Sequence, residues 1–276
     1  LTKMMMTPRA MQGFQLLEET GLLRYIMPEL REGIDVGQNK HHIYDVWEHL
    51  LRTMQHACDK NWSFDLRMAG LLHDIAKPRT KEGEGYNCTF HGHEVVGASM
   101  AYEILMRLRY PKKFCARISK LVRYHMFYYD TGEVTESSIR KLVRNVGPHN
   151  IKDLIRLREC DRIGSGTPKA RPYRLRHFEY MAEKVMTDPI SLSMLHIDGQ
   201  MLMTELGMKP GPELGAILNV LLAEVLEDPT RNTKDHLLMR AKTLQAQDLA
   251  SLKRQALSEI EAKQEAQDRA IKQKYH

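Results

Sequence analysis

Apolar residues in this chain recur every three or four positions and almost nowhere alternate one by one. That spacing matches the 3.6-residue turn of a helix and gives a sheet no continuous buried face. Gly and Pro divide the pattern into segments, with helices expected near 42–58, 63–76, 92–108, 112–127, 136–146, 149–163 and 171–186. An earlier helix is expected at Thr7-Pro8, with Thr as N-cap and Pro in the first turn. Met11, Phe14 and Leu17 follow at helical spacing, and Gly21 suits the stop. The stretch "RTKEGEGYNCTF", 79–90, is the clearest loop, and Asp188-Pro189 marks another boundary. Beyond it, "KPGPELGAILNVLLAEVLEDP" is expected to turn and then form a helix over 212–227. Residues 233–274 are expected to form one long polar helix. Its weak seam is Leu237, Ala241, Leu244, Leu249, Leu252, Ala256 and Ile260, and coiled-coil oligomerisation through it is one outcome. The fold class expected is all-α.

One short stretch disturbs this pattern. In "AGLLHDIAKP", residues 69–78, an apolar run carries His73 and Asp74 side by side before Pro78 stops it. Buried ionisable groups are costly unless a hydrogen bond, a counter-charge or a metal compensates them. Comparable helices offer His49 in "DVWEHLLRT", His91 and His93 in "FHGHEVVGA", His125 in "LVRYHMFY" and Asp161 in "LIRLRECDRIG". Taken singly, each has an ordinary structural role; Asp161, for instance, can pair with Arg158 or Arg162. Together they place ligand-type residues beside apolar faces on five helices. Neutral imidazole with carboxylate suits one or two divalent ions among Mn, Ni, Co, Fe, Zn and Mg. Lys77, three residues after Asp74, shares its helical face and can meet a phosphate oxygen; it can also serve as a plain C-terminal lysine on the helix dipole. Arg162 is a second phosphate candidate.

Composition narrows the partners. No apolar run approaches the ~20 residues of a membrane span, and no signal peptide is recognisable. Cys58, Cys88, Cys115 and Cys160 form no CxxC pair, so reduced thiols in a cytoplasmic protein are expected. The net charge of +6 is unevenly placed: residues 104–177 hold 18 Lys/Arg against 6 Asp/Glu. Such a concentration suits a polyanion. Within it, "PKARPYRLRHFEY" interleaves Lys169, Arg171, Arg174 and Arg176 with Tyr173, His177, Phe178 and Tyr180. That arrangement can grip phosphates and stack on bases, or equally can be a helix start with solvated arginines and core-facing aromatics.

The order His49, His73-Asp74, Asp161 resembles the HD superfamily of metal-dependent phosphohydrolases. The resemblance implies that these four residues hold a first metal, that Asp74 bridges, and that His93 and His125 complete a second site. Some two-metal members carry a further His where Met126 stands; His91 is a substitute, or the second site is weak or empty. A narrower resemblance rests on "LLEETGLLRYIMPEL", "GQNKHHIYDVWEHLLRT", "LLHDIAKP", "FHGHEVVGA", "LVRYHM" and "IDGQMLMTELGMKPGPELGAILNVLLAEVLEDPTRNT", in that order. Over about 4–240 the chain is similar to the C-terminal half of bacterial CCA-adding tRNA nucleotidyltransferases, the poly(A)-polymerase-like family carrying an HD domain. This implies residues 1–40 as the end of a tRNA-binding neck, 41–187 as the HD domain, and 188–276 as a C-terminal helical region.

That family adds nucleotides with an N-terminal head bearing Gly-Ser and a DxD pair. This chain has no DxD, and its one Gly-Ser, Gly164-Ser165, follows a helix. The expectation is therefore the tRNA-binding and HD portion of a longer protein, without nucleotidyltransfer of its own. Asp74, Lys77 and Arg162 would serve catalysis on a nucleotide or other phosphoester, and Lys169, Arg171, Tyr173, Arg174 and Arg176 would bind tRNA or other RNA. A non-catalytic tRNA-binding body with a vestigial metal site, and a free-standing nucleotide phosphohydrolase, are the alternatives.

Overall fold

The computed structural model describes residues 1–39, 42–132, 134–257, 266, 268–271, 273 and 274. Among them the chain is all-α; the one strand-like feature is an isolated antiparallel bridge between Glu82 and Thr89. Among the described residues no helix is long and apolar enough to cross a membrane. Two compact units form, one from Leu1–Tyr128, His149–Arg176 and Ala270–His276, the other from Tyr129–Pro148 and His177–Arg269. These units follow packing, and their limits differ from the sequence divisions at 40 and 187.

The first unit opens with four helices, α1 (Thr2–Met5), α2 (Ala10–Glu19), α3 (Leu23–Ile26) and α4 (Pro28–Arg31). Helix α2 starts at Ala10, not at Pro8 as expected, because the Thr7 hydroxyl donates backward to the Met4 carbonyl. Gly21, at φ 71°, does end it. Then come α5 (Val46–Asp59), α6 (Phe64–Leu72), α7 (Lys77–Thr80), α8 (His93–Arg107) and α9 (Lys112–Tyr124). Asp45 caps α5 by accepting from the Glu48 amide at 2.7 Å, which starts the helix four residues later than the periodicity suggested.

Helix α6 also stops early, at Leu72. The chain continues through i→i+3 bonds, Ile75 to Leu72 and Lys77 to Asp74, so His73 and Asp74 sit in tight turns rather than mid-helix. Pro78 lies in the first turn of α7, where its missing N–H is harmless. It starts a short helix instead of stopping one.

The second unit contains α10 (Glu136–Val146), and α11 (Pro148–Gly164) returns the chain to the first. Helix α12 (Tyr173–Val185) begins in the first unit and ends in the second. Two further helices, α13 (Gly199–Leu206) and α14 (Pro212–Glu227), precede α15 (Lys234–Leu244) and α16 (Leu249–Ala256). The expected long polar helix is thus broken. Asp248 caps α16 through the Ser251 amide at 2.8 Å, and the break lets Leu237, Ala241, Leu244 and Leu252 all bury within the chain. This part of the seam is occupied internally and offers no coiled-coil face; Ile260 lies outside the described residues.

Two glycines set how closely the first unit's helices cross. A Cβ on Gly70 of α6 would lie 3.3 Å from the Met54 backbone in α5. One on Gly164 of α11 would lie 2.9 Å from the Thr53 nitrogen and 3.0 Å from the His49 carbonyl. Helix α5 is therefore approached by α6 and α11 at near backbone contact, and His49 comes close to His73 and Asp161.

Candidate metal centre

Asp74 is the hub of the site. Its Oδ2 lies 3.1 Å from His49 Nε2, 3.2 Å from His73 Nε2 and 2.6 Å from Lys77 Nζ. The other oxygen, Oδ1, lies 3.1 Å from His93 Nε2 and 3.3 Å from His125 Nε2. Asp161 closes one side, with Oδ1 3.5 Å from His49 Nε2 and 3.6 Å from His73 Nε2. All six sequence-nominated ligand residues converge, and all are buried. They form two groups sharing Asp74: His49, His73, Asp74 and Asp161, and Asp74, His93 and His125.

Hydrogen bonding on the outer ring nitrogens decides what the inner ones present. His73 Nδ1 is 2.9 Å from the Gly70 carbonyl, His93 Nδ1 2.7 Å from Phe90, and His125 Nδ1 2.7 Å from Val122. Carbonyl oxygens only accept, so each Nδ1 carries the proton and each neutral ring turns an Nε2 lone pair inward. These inner nitrogens crowd one another and a carboxylate: His93 and His125 Nε2 are 3.3 Å apart, and His73 Nε2 lies 3.1 Å from His49 Nε2. His49 Nδ1 and Asp74 Oδ1 are buried without a hydrogen-bond partner among the described residues. Acceptors facing acceptors in a buried space repel unless a cation lies between them. Ligands held ~2.1 Å from one ion sit roughly 3.0–3.4 Å apart in octahedral or tetrahedral geometry, and the shortest spacings here match. The residues present fit a divalent ion.

Electrostatics of the chain alone agree. Burial would lower His73, but the Asp74 and Asp161 carboxylates outweigh it and raise the ring to about 9, so a proton stands where a cation fits. Burial holds His125 down at about 4 and lowers His49 as well. Burial opposes ionisation of Asp74 and Asp161, yet the surrounding positive groups win and hold both well below the ordinary carboxylate range. His73 and Lys77 act on Asp74; His73 and Arg158 act on Asp161.

Asp74, His93, His125 and Asp161 form the floor of a cavity of about 520 Å³, whose walls include Asn39, His42, Thr89, Phe90, His91, Met126, Arg158, Arg162, Ser165 and Thr167. Lys77 lines it too, buried, in ionic contact with Asp74. Arg162 donates to the Lys169 carbonyl at 3.1 Å. The ion-pair role open to Asp161 is also realised, because Arg158 donates to Oδ2 at 2.8 Å while Oδ1 faces the histidines. Met126 is half exposed at the wall.

Sequence reasoning passed over Gln38 and His42. The His42 ring meets His49 edge-on at 4.9 Å, and burial with Lys77 lowers it to about 3. The adjacent His41-His42 pair before "YDVWEH" was the only signal. Beyond Thr167, the nominated Lys169, Arg171, Tyr173, Arg174 and Arg176 are all exposed. Arg171 pairs with Glu159 at 3.1 Å. The aromatics divide: Tyr173 and Tyr180 face solvent, whereas Phe178 is buried.

Comparison with known proteins bears on this geometry. Residues 46–163 match the HD domain, and residues 1–34 match the probable RNA and SrmB-binding site of polymerase A. The chain carries an HD domain. It is 33% identical over 231 residues to an A-adding tRNA nucleotidyltransferase of Deinococcus radiodurans, a stretch covering 80% of this chain and 52% of that protein. It is 32% identical over 231 residues to a CC-adding tRNA nucleotidyltransferase of Thermus thermophilus, covering 80% of this chain and 50% of that protein. A multifunctional CCA protein of Neisseria meningitidis is 31% identical over 147 residues, which is 52% of this chain and 34% of the relative. The chain spans about half the length of the first two of these curated relatives, consistent with the HD-domain half of that family.

Proposed function

We propose that this chain is the metal-dependent phosphohydrolase and tRNA-binding portion of a CCA-adding-type tRNA nucleotidyltransferase, acting as a phosphatase or cyclic phosphodiesterase. The observation that carries the reading is the convergence of four imidazole nitrogens and the Asp161 carboxylate around Asp74, in two groups spaced as the ligands of a divalent ion are. In this reading His49, His73, Asp74 and Asp161 hold one ion, and Asp74, His93 and His125 a second. Bound there, divalent ions polarise a phosphoryl oxygen and lower the pKa of water. Lys77 would meet charge developing on the non-bridging phosphate oxygens, and Arg162 would hold a phosphate at the cavity wall. Lys169, Arg171, Tyr173, Arg174 and Arg176 would contact RNA, read mainly by shape and backbone. Residues 1–40 would end the neck, 41–187 form the HD part and 188–276 the C-terminal region.

The test is direct. The purified chain, titrated with Mn, Ni, Co and Mg, should bind at least one ion and hydrolyse 2′,3′-cyclic nucleotides or phosphomonoesters. Metal binding without turnover on these or on tRNA ends would leave a non-catalytic tRNA-binding body. Failure to bind any of the ions would end the metal-centre reading.

A further inference from the structure

Lys77 is a flexible side chain held in one place, and what holds it is a residue the mechanism has not used. Its ammonium donates to Gln38 Oε1 at 2.7 Å while contacting Asp74 Oδ2 at 2.6 Å. Gln38 is itself buried, and its Nε2 faces the Tyr44 carbonyl at 3.2 Å and the Asp45 carbonyl at 3.3 Å. The amide can sit only one way round: an ammonium only donates, so Oε1 must face it, and carbonyls only accept, so Nε2 must face them. Asp45 caps α5, the helix that carries His49. One glutamine therefore joins the start of the His49 helix to the lysine beside Asp74.

We infer that Gln38 is a positioning residue for Lys77; this rests on the proposed role of Lys77 in phosphoester hydrolysis. An ammonium has three N–H groups. With one on Asp74 and one on Gln38, the third remains for a phosphate oxygen in the cavity that Lys77 lines. Without Gln38, Asp74 alone anchors a four-carbon side chain, and the ammonium loses the second fixed direction that aims the third N–H. The loop itself has other ties, from Asp35 N to Asp45 Oδ2 at 2.9 Å and from Val46 N to the Val36 carbonyl at 3.0 Å. Removing the glutamine therefore leaves the loop closed.

The experiment uses Gln38→Met, Lys77→Met and the double variant in the full chain, with bis(p-nitrophenyl) phosphate and Mn2+ as probe. Gln38→Met should lower kcat roughly 10-fold, the scale of one lost hydrogen bond to a charged group, with KM and the number of ions bound unchanged. The double variant should be no slower than Lys77→Met, since both remove the same N–H contact. A purely structural role for Gln38 would instead slow the double variant by the full Gln38→Met factor. In the metal-free chain, a slowly exchanging lysine ammonium resonance that Lys77→Met removes should also be lost in Gln38→Met. Normal turnover by Gln38→Met with a slowed Lys77→Met, or an ammonium signal that survives Gln38→Met, overturns the inference. Normal turnover by Lys77→Met overturns the proposed role of Lys77 instead, and the resonance then decides the positioning by itself.

Discussion

Gly164→Ala tests how the fold delivers the site. An added Cβ would clash with Thr53 Oγ1 and lie 2.9 Å from Thr53 N and 3.0 Å from the His49 carbonyl oxygen, whereas ordinary contact begins at 3.4 Å. The hydroxyl can rotate away, losing its 2.8 Å bond to the His49 carbonyl. The backbone atoms cannot rotate, so α11 must withdraw from α5 by roughly 0.5 Å to reach van der Waals distance. Overpacking of this kind costs about 1–3 kcal/mol, and the gain in helix propensity from Gly to Ala returns at most about 1 kcal/mol. Asp161 rides on α11, and its carboxylate should move away from His49 and His73 together. Metal affinity should then fall about 10-fold, the scale seen when groups that orient ligands are changed. Urea denaturation of the metal-free chain and calorimetric titration with Ni2+ measure the two effects. Gly215→Ala in α14, where an added Cβ meets nothing within 4 Å, is the control and should be neutral or slightly stabilising. If Gly164→Ala melts with the control and binds Ni2+ like the parent, close approach of α5 and α11 is not what builds the site.

Asp74→Ala should abolish both metal binding and any phosphoesterase activity, since one carboxylate faces all four imidazoles; calorimetry and a cyclic-nucleotide assay report it, and wild-type affinity would refute the hub role. Stability of the metal-free chain should peak near pH 6.5. His73, raised to about 9, contributes fully below its ordinary 6.5 and loses that contribution as pH rises through 9. His125, lowered to about 4, contributes above 6.5 and loses it as pH falls toward 4. Denaturation midpoints across pH 4–9 check this, and a flat profile would count against the buried charge pattern. Affinity for tRNA should fall steeply with salt, and Arg171, Arg174 and Arg176 replaced together should weaken it and flatten the slope. Unchanged affinity and slope in a filter-binding assay would move the RNA surface elsewhere.

The buried His/Asp cluster was legible because its members stand beside apolar helical patterns as residues that a hydrogen bond, a counter-charge or an ion must satisfy. His49, His73, Asp74, His93, His125 and Asp161 all announce themselves that way, whatever the exact helix ends. Tertiary bonds decided what was not legible. Nothing local in Gln38 says that its oxygen meets a lysine 39 residues later. Helix α13 is only eight residues, between Asp198 as cap and Gly207 at φ 64°, too short for periodicity to stand out. The break before Asp248 depends on α14 being apolar on nearly all sides, so that α15 and α16 both gain by packing in the same unit rather than running on. A long polar helix would leave Leu252 without that cover.

Charge balance says what the cavity attracts. Without a metal, two carboxylates, Asp74 and Asp161, stand against Lys77, Arg158 and a protonated His73, a small positive excess held in a buried space. Replacing the His73 proton with one divalent ion increases that excess, and a second ion beside His93 and His125 increases it again. A carboxylate or neutral guest would leave much of it uncompensated, whereas a phosphomonoester dianion would cancel two charges, with Lys77 placed to meet one of its oxygens. Arg162 adds its charge at the wall rather than on the floor. The same reasoning explains why ligand binding should order the site. The inner nitrogens of His93 and His125, both held as acceptors, face each other at 3.3 Å, and an ion between them would relieve that repulsion, so part of its binding energy would become folding energy.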